Sequence, residues 1–286
     1  MNKSVATVVI TFNRLNFLKE IIDALRNQSH KSDEIIVVNN SSTDGTAEWL
    51  AEQKDLTVIT QGNVGSSGGQ YTGFKRALET DCHWVWTMDD DVVPAPDCLE
   101  TLLNCDDNPR LVRTPLRYLP DGKPFFNDAT KYNLTNPFKN IWEKILDEED
   151  LKNNIIPAIG ITFEGPLMPR TMIEKIGLPE KKFFIYGDDT EYFIRAWKAD
   201  YEIAVIRDAR FDRKLNFANP LENINWKFYY VVRNIVAIDV LQGSIAVRFI
   251  RPFGYFFKWI KHTKNTKEFG LLLKGLIHGY FYRSEN

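Results

Sequence analysis

The sequence predicts an α/β domain, a mostly parallel central sheet flanked by helices, followed by a helical C-terminal extension. Three observations predict it. In the first 90 residues, short β-branched apolar runs alternate four times with stretches of helical periodicity, the pattern of a parallel sheet with helices on its faces. Each apolar run ends in a polar or glycine-rich break. Right-handed crossovers bring such breaks to one edge of the sheet, where open α/β folds bind ligands. Beyond about residue 215 the pattern turns helical and aromatic. The expected units are therefore residues 1–215 and 216–286.

Residues 5–12 form an apolar run that reads as a buried strand, broken by Asn13-Arg14. Leu15, Leu18, Ile21, Ile22 and Leu25 then recur at helical spacing. Residues 34–38 are the second strand, closed by Asn39-Asn40-Ser41-Ser42, after which Ser42 or Thr43 can cap a helix through Leu50. Residues 56–60 are a third strand. A glycine-serine loop over 61–69 and a helix through Leu78 follow. Residues 82–88 are the fourth strand, and it ends in Asp89-Asp90-Asp91.

Alternation then stops. Residues 106–160 are rich in Pro, Asn and charge and read as an irregular insertion, with a short helix around 141–146. A strand over 155–163 precedes Glu164-Gly165-Pro166, and a short helix over 171–176 ends at Gly177. Phe183-Phe184-Ile185-Tyr186 leads into Gly187-Asp188-Asp189-Thr190-Glu191 and a further helix, and residues 202–206 are the last strand.

Composition is that of a globular protein, 44% hydrophobic and 26% charged. The net charge of −2 gives no whole-protein field for nucleic acid. Cys82, Cys98 and Cys105 have neither zinc nor redox spacing and read as reduced cytosolic thiols. No signal-peptide pattern and no membrane-length apolar run is present. Residues 244–286 carry eight basic residues against Glu268 and Glu285, a surplus of six that leaves the remainder at −8. Aromatic residues interleave with those charges, which suits a surface lying on anionic lipid. The expectation is a cytoplasmic protein, peripheral on the inner face of the cell membrane. A helical hairpin packed on the first unit, or on a second copy as a homo-oligomer, is the other reading.

Two acidic clusters carry the candidate chemistry. Three consecutive carboxylates at a strand end repel one another unless a positive group sits there. A divalent cation with oxygen ligands would serve, and so would a plain turn ahead of Pro94 and Pro96. In the second cluster, Asp188 and Glu191 have the spacing of a helix capping box, while Asp189 between them points outward and can act as a general base.

These residues resemble family 2 glycosyltransferases. Val8-Val9-Ile10-Thr11-Phe12-Asn13-Arg14 is similar to the family's opening strand, and the stretch from Glu34 to Thr46 to its second motif. The acidic triplet matches the Asp-x-Asp metal motif, and Asp188-Asp189-x-Glu191 matches the motif that holds the catalytic base. Asn63-Val64-Gly65-Ser66-Ser67-Gly68-Gly69, with Tyr230, Arg233 and Asn234, resembles the rhamnosyl- and galactofuranosyltransferase branch. The resemblance spans about residues 5–235 and implies a nucleotide-sugar-binding domain of the GT-A type.

It also implies roles. Asp91, helped by Asp89, would hold Mn²⁺ or Mg²⁺, and Asp89 or Asp90 would touch the ribose. Thr11, Asn13, Arg14, Asn40, Asp44, Asn63, Gly65, Gly69 and Arg213 would complete the nucleotide-sugar site. Trp86, Glu164, Gly165 and Tyr186 would contact sugar or acceptor, Trp86 serving equally as core. Asp189 would be the base, with Asp188 or Glu191 orienting acceptor hydroxyls. The implied reaction is inverting transfer, with UDP-galactofuranose favoured as donor and dTDP-rhamnose as the alternative, to a hydroxyl of a cell-surface or lipid-linked glycan.

The sequence departs from the family at two places. Asn39-Asn40 stands where a pair containing Asp is usual, and Arg213 stands where a metal-binding His is usual. Asp212 or water could complete the metal shell, or Arg213 could meet the diphosphate. A nucleotidyltransferase would want a glycine-rich phosphate loop after the first strand, which Thr11-Phe12-Asn13-Arg14 is not. A non-catalytic carbohydrate-binding protein would not need both Asp91 and Asp189.

Overall fold

The computed structural model describes residues 3–216 and 224–284. Residues 217–223 of the expected extension, and Glu285 of its charge count, lie outside the described residues. The chain runs β1 (Val5–Thr11), α1 (Leu15–Arg26), β2 (Glu34–Asn39), α2 (Thr46–Ala51), β3 (Thr57–Thr60), α3 (Gly65–Ala77), β4 (Trp84–Asp89), β5 (Val92–Pro94) and α4 (Cys98–Asn104). It continues through β6 (Leu111–Tyr118), β7 (Ala129–Tyr132), β8 (Trp142–Ile145), β9 (Ile155–Pro157), β10 (Leu167–Pro169), α5 (Arg170–Ile176), α6 (Asp188–Lys198) and β11 (Glu202–Arg213). Three helices close it: α7 (Lys227–Gln242), α8 (Ile245–Trp259) and α9 (Thr266–Tyr280).

The main sheet has the order β3-β2-β1-β4-β10-β6-β11-β5, with β9 also paired to β11. Its first four strands are parallel, as the alternation predicts, so the C-terminal ends of β1, β2, β3 and β4 share one edge. β10 runs antiparallel between β4 and β6, which makes the second half mixed. Along β1, Ala6, Val8 and Ile10 enter one buried cluster while Val5 and Val9 enter another, the period of two that a strand covered on both faces requires. Helices α1 and α4 cover one face through Leu18, Ile21, Ile22, Leu99 and Leu102. Helices α3, α5 and α6 cover the other through Phe74, Met172, Tyr192 and Phe193.

Several expectations need correction. The stretch 141–146 is not a helix. Trp142–Ile145 is a strand paired antiparallel with β7, because Ile141 and Leu146 are buried at either end of an exposed segment. The strand expected over 155–163 covers only Ile155–Pro157, after which the chain turns to bridge β7 at Gly160. The last strand is longer than expected, passing a bulge after Ile206 and ending at Arg213. Helix α2 starts at Thr46 behind Gly45, with no cap from Ser42 or Thr43.

A third cluster draws on both sides of residue 215. Tyr132, Leu134, Ile141, Phe183 and Ile194 pack with Phe228, Val232, Val236, Tyr255, Trp259 and Leu272. Arg251 on α8 crosses this contact. It pairs with Asp239 at 2.8 Å and donates to the carbonyls of Asn133 and Asn136. Among the described residues no helix is long and apolar enough to cross a membrane.

Arg251 and Asp239 are both buried, so removing one partner strands a charge. Arg251→Met is expected to lower unfolding free energy by about 3–5 kcal/mol, measured by urea denaturation at neutral pH. A change below about 1 kcal/mol, the range of exposed ion pairs, would show the pair to be solvated.

Candidate active site

The edge at the ends of β1 and β4 gathers the acidic triplet and its partners. Asp90 is buried and fully engaged. Its carboxylate accepts from Thr11 Oγ1 at 2.7 Å, from Arg14 Nη1 at 3.0 Å and from the Phe12 amide at 3.4 Å. The same Arg14 nitrogen lies 2.7 Å from Asp91 Oδ2. Burial pushes the Asp90 carboxyl up to about 6, against the pull of Arg14 and Thr11. Asp90 is therefore the anchor of the triplet, and Asp89 and Asp91 are left facing the crevice. No side chain among the described residues hydrogen-bonds the Asp89 carboxylate. Burial, then repulsion from Asp91, Glu164, Asp90 and Asp188, pushes it well above the usual range.

The second acidic cluster arrives on a constrained loop. Phe184, Tyr186 and Gly187 all have φ between 64° and 78°, left-handed backbone that non-glycine residues adopt only when the surroundings enforce it. Asn234 of α7 enforces it, its Nδ2 donating to the carbonyls of Phe183, Ile185 and Tyr186 at 2.6–3.0 Å. Arg233 adds donors to Lys182 and Phe183. Helix α6 then begins behind Gly187 without a side-chain cap, so the expected capping box does not form. Asp189 is pushed up to about 7 by burial, then by Asp188 and Glu164. Glu191 turns the other way, buried against Arg195 at 2.9 Å and accepting from Gln242, and does not reach the crevice.

Glu164 links the two clusters. Arg213 donates to both its oxygens at 2.9 and 2.7 Å, and Arg117 donates to it at 2.9 Å while also pairing with buried Asp128. Arg213, standing where a metal-binding His was expected, thus meets a carboxylate, and Asp212 beside it pairs with Arg210 on the exposed face. Residue alternation along β11 places the two on opposite sides.

The other sequence-predicted residues divide. Trp86 is fully buried with its indole donating to the Gly165 carbonyl at 2.9 Å; it is core and shapes the loop carrying Glu164. Asn40 has both amide atoms engaged, by the Gly65 carbonyl and Gln61, whereas the buried Asn39 Nδ2 has no partner. Asp44 accepts from the Leu15 amide and from Thr46, and Asn13 accepts from Thr43, so both stitch the starts of α1 and α2. Asn63 accepts from the Gly65 amide at the start of α3. Gly65 has φ +77°, and a Cβ there would strike the Phe184 carbonyl; one at Gly69 would strike Ile10. Both glycines are explained by packing of α3 against β1 and the 184–187 loop. Tyr186 is half-buried at the crevice.

Sequence reasoning missed Tyr132 on β7, inside the stretch read as irregular. Its buried ring lies near Thr190 and Trp142, and burial with the charges of Asp189 and Asp128 pushes its hydroxyl above the usual range. The only sequence signal was an aromatic residue in a polar segment.

The donor set suits a divalent cation. Asp91 lies close enough to raise the Asp89 carboxyl, and the Arg14 guanidinium sits beside Asp91. Among the described residues no three metal-ligating side chains converge. Two carboxylates fit the way Mg²⁺-like ions are held, with substrate phosphates supplying further oxygens.

An α/β sheet with acids at its parallel edge, a second acidic cluster behind a fixed loop and helices on both faces is the architecture of a GT-A-type glycosyltransferase. The model of Glycosyl transferase family 2 matches residues 6–176, and the chain belongs to that family. It is similar to galactofuranosyltransferase GlfT1 of Mycolicibacterium smegmatis, 27% identical over 198 residues, covering 65% of this chain and 63% of that protein. GlfT1 of Mycobacterium tuberculosis H37Rv is 29% identical over 222 residues, 74% of this chain and 70% of its own. Among solved structures, GalNAc-T7 with UDP, GalNAc and Mn²⁺ superposes with a TM-score of 0.67 at 11% identity, covering 98% of this chain and 55% of that one. The last likeness shows the GT-A fold.

The raised Asp189 carboxyl has a cost in stability. Its folded value of about 7 exceeds the ordinary 3.8, so the folded state holds the proton more tightly. The wild type should lose stability as pH rises from about 4 to about 7 and then level off. Asp189→Asn is expected to flatten that slope and to raise Tm at about pH 8 by a few degrees. An unchanged Tm–pH curve would show that the carboxyl titrates normally.

Proposed function

We propose that this protein is an inverting, metal-dependent galactofuranosyltransferase that moves galactofuranose from UDP-galactofuranose to a hydroxyl of a cell-surface or lipid-linked glycan. The observation that carries the reading is Asp189. It stands behind a fixed loop, near Asp188 and Glu164, with a carboxyl at about 7, the range of an effective general base. The similarity to galactofuranosyltransferase GlfT1 supports the donor.

In this reading ionised Asp189 takes the proton of the acceptor hydroxyl as its oxygen attacks the anomeric carbon. The bond from that carbon to the diphosphate breaks on the opposite face, inverting the centre and releasing UDP. Asp91 and Asp89 would hold Mn²⁺ or Mg²⁺, whose chemistry when bound is to neutralise the charge of the departing diphosphate. Arg14 would leave Asp91 and stay with Asp90. Arg213 and Arg117 hold Glu164 in place, where it would accept hydrogen bonds from sugar hydroxyls.

The C-terminal helices support a peripheral membrane site for a lipid-linked acceptor. Ile245, Phe249, Phe253 and Phe257 on α8 are 54–78% exposed, and Phe269, Leu273, Ile277 and Phe281 along α9 are 37–73% exposed. Each set repeats every four residues, which makes one stripe per helix. The Phe249 and Tyr280 rings, 6.5 Å apart, join the two stripes. Arg248, Lys258, Lys261, Lys264, Lys267 and Lys274 flank them, the composition of a helix face on anionic lipid.

Two outcomes test these readings. Asp189→Asn should retain UDP binding while transfer from UDP-galactofuranose falls about 100-fold or more, and wild-type kcat/KM should fall below about pH 7 as the base protonates. A preference for dTDP-rhamnose in a thermal-shift panel would replace the donor. Phe253→Glu with Phe257→Glu should abolish co-sedimentation with anionic phosphatidylglycerol vesicles. Equal sedimentation would remove the membrane face, and a monomer where the wild type is a dimer would assign that face to a second copy.

A further inference from the structure

The hairpin β7–β8 lies inside the 106–160 insertion and has no part in the donor chemistry described above, yet it reaches the base. Tyr132 and Trp142 are cross-strand partners. Tyr132 is buried, with Gly160 packed so closely on its ring that a Cβ there would overlap it. Its hydroxyl lies near Trp142 of the paired strand and near Thr190, next to Asp189. Trp142 is therefore one side chain removed from the catalytic loop, but 42% exposed. Its ring lines an open depression of about 400 Å³ together with Phe138, Lys139, Asn140 and Glu143, a volume within the usual range of about 300–1,000 Å³ for ligand sites.

A half-exposed indole flanked by amide, ammonium and carboxylate groups suits a ligand with an apolar face and a hydroxyl-rich edge. A sugar ring has both. The hairpin is also held firmly. Arg251 of α8 fixes the Asn133 and Asn136 carbonyls, Ser244 of the α8 cap donates to the Thr135 carbonyl, and Lys258 reaches Asn140. A site so braced can orient a ligand rather than merely touch it.

We propose that the outer edge of the β7–β8 hairpin, centred on Trp142 with Phe138 beside it, is the acceptor subsite, where a sugar ring of the acceptor glycan packs on the indole and presents its hydroxyl to Asp189. Tyr132 is a positioning residue that ties this platform to Thr190 and the loop of the base. The inference rests on Asp189 being the base and on a glycan being the acceptor.

The test uses the full-length protein with Mn²⁺, UDP-galactofuranose as donor, and octyl glycosides of galactofuranose, galactose, rhamnose and N-acetylglucosamine as acceptor probes. Release of UDP without acceptor reports on donor and base alone. Trp142→Ala should leave that release and the donor KM unchanged while raising the KM of the best octyl glycoside about tenfold or more. Trp142→Phe should recover most of the loss, and saturation-transfer NMR signals from the glycoside in the presence of UDP should vanish in Trp142→Ala. An unchanged acceptor KM in Trp142→Ala with normal UDP release overturns the subsite alone. So does the absence of any octyl-glycoside signal with the wild-type protein at millimolar concentration. If the wild type neither binds UDP nor releases it from the donor, the transferase reading itself fails.

Discussion

The structure depends on crowded negative charge. Burial together with Asp91, Glu164, Asp90 and Asp188 raises the Asp89 carboxyl, and burial together with Asp188 and Glu164 raises that of Asp189; at protein-like dielectric such repulsions amount to kilocalories. The fold answers with positive groups at fixed places. Arg14 bridges Asp90 and Asp91, and Arg213 and Arg117 hold Glu164. Between these the carboxylates of Asp89 and Asp189 are left uncompensated. That imbalance is unfavourable for the folded state and useful to the chemistry, because it raises the attraction for a cation and the basicity of a carboxylate together.

Much of this was legible in the sequence, for definite reasons. β1, β2 and β4 are continuous apolar runs because both sheet faces are covered, and such runs cannot be mistaken for amphipathic surface. The acids stood out because they closed those runs. Direction was harder to read. Asp90, Glu191 and Trp86 are chemically suited to a ligand, but hydrogen-bond partners from distant elements turn all three inward. The glycines around 65–69 read as a glycine-serine loop, and the structure adds that Gly65 and Gly69 are required by the approach of Phe184 and Ile10. The segment 141–146 has apolar residues four apart and mimics a helix, but pairing with β7 overrides that local pattern. Tyr132 could not be placed at all, because its importance comes entirely from what the hairpin folds onto.

The three C-terminal helices resemble an appendage in composition but not in contacts. Their inner faces share a core with Phe183, Ile194 and the β7–β8 hairpin, and polar side chains on them grip backbone carbonyls of the donor-binding unit. The division at residue 215 is a change of composition without a gap in packing. The outer faces of α8 and α9 carry exposed apolar stripes.

Asn234 carries a consequence for how such enzymes can diversify. One amide on α7 donates to three carbonyls of the loop whose residues Phe184, Tyr186 and Gly187 take positive φ ahead of Asp188. A chimera that joined this unit to a helical tail without an asparagine at that place would inherit a loop without its clasp. The tail is an interchangeable module only where the incoming helix brings the same amide.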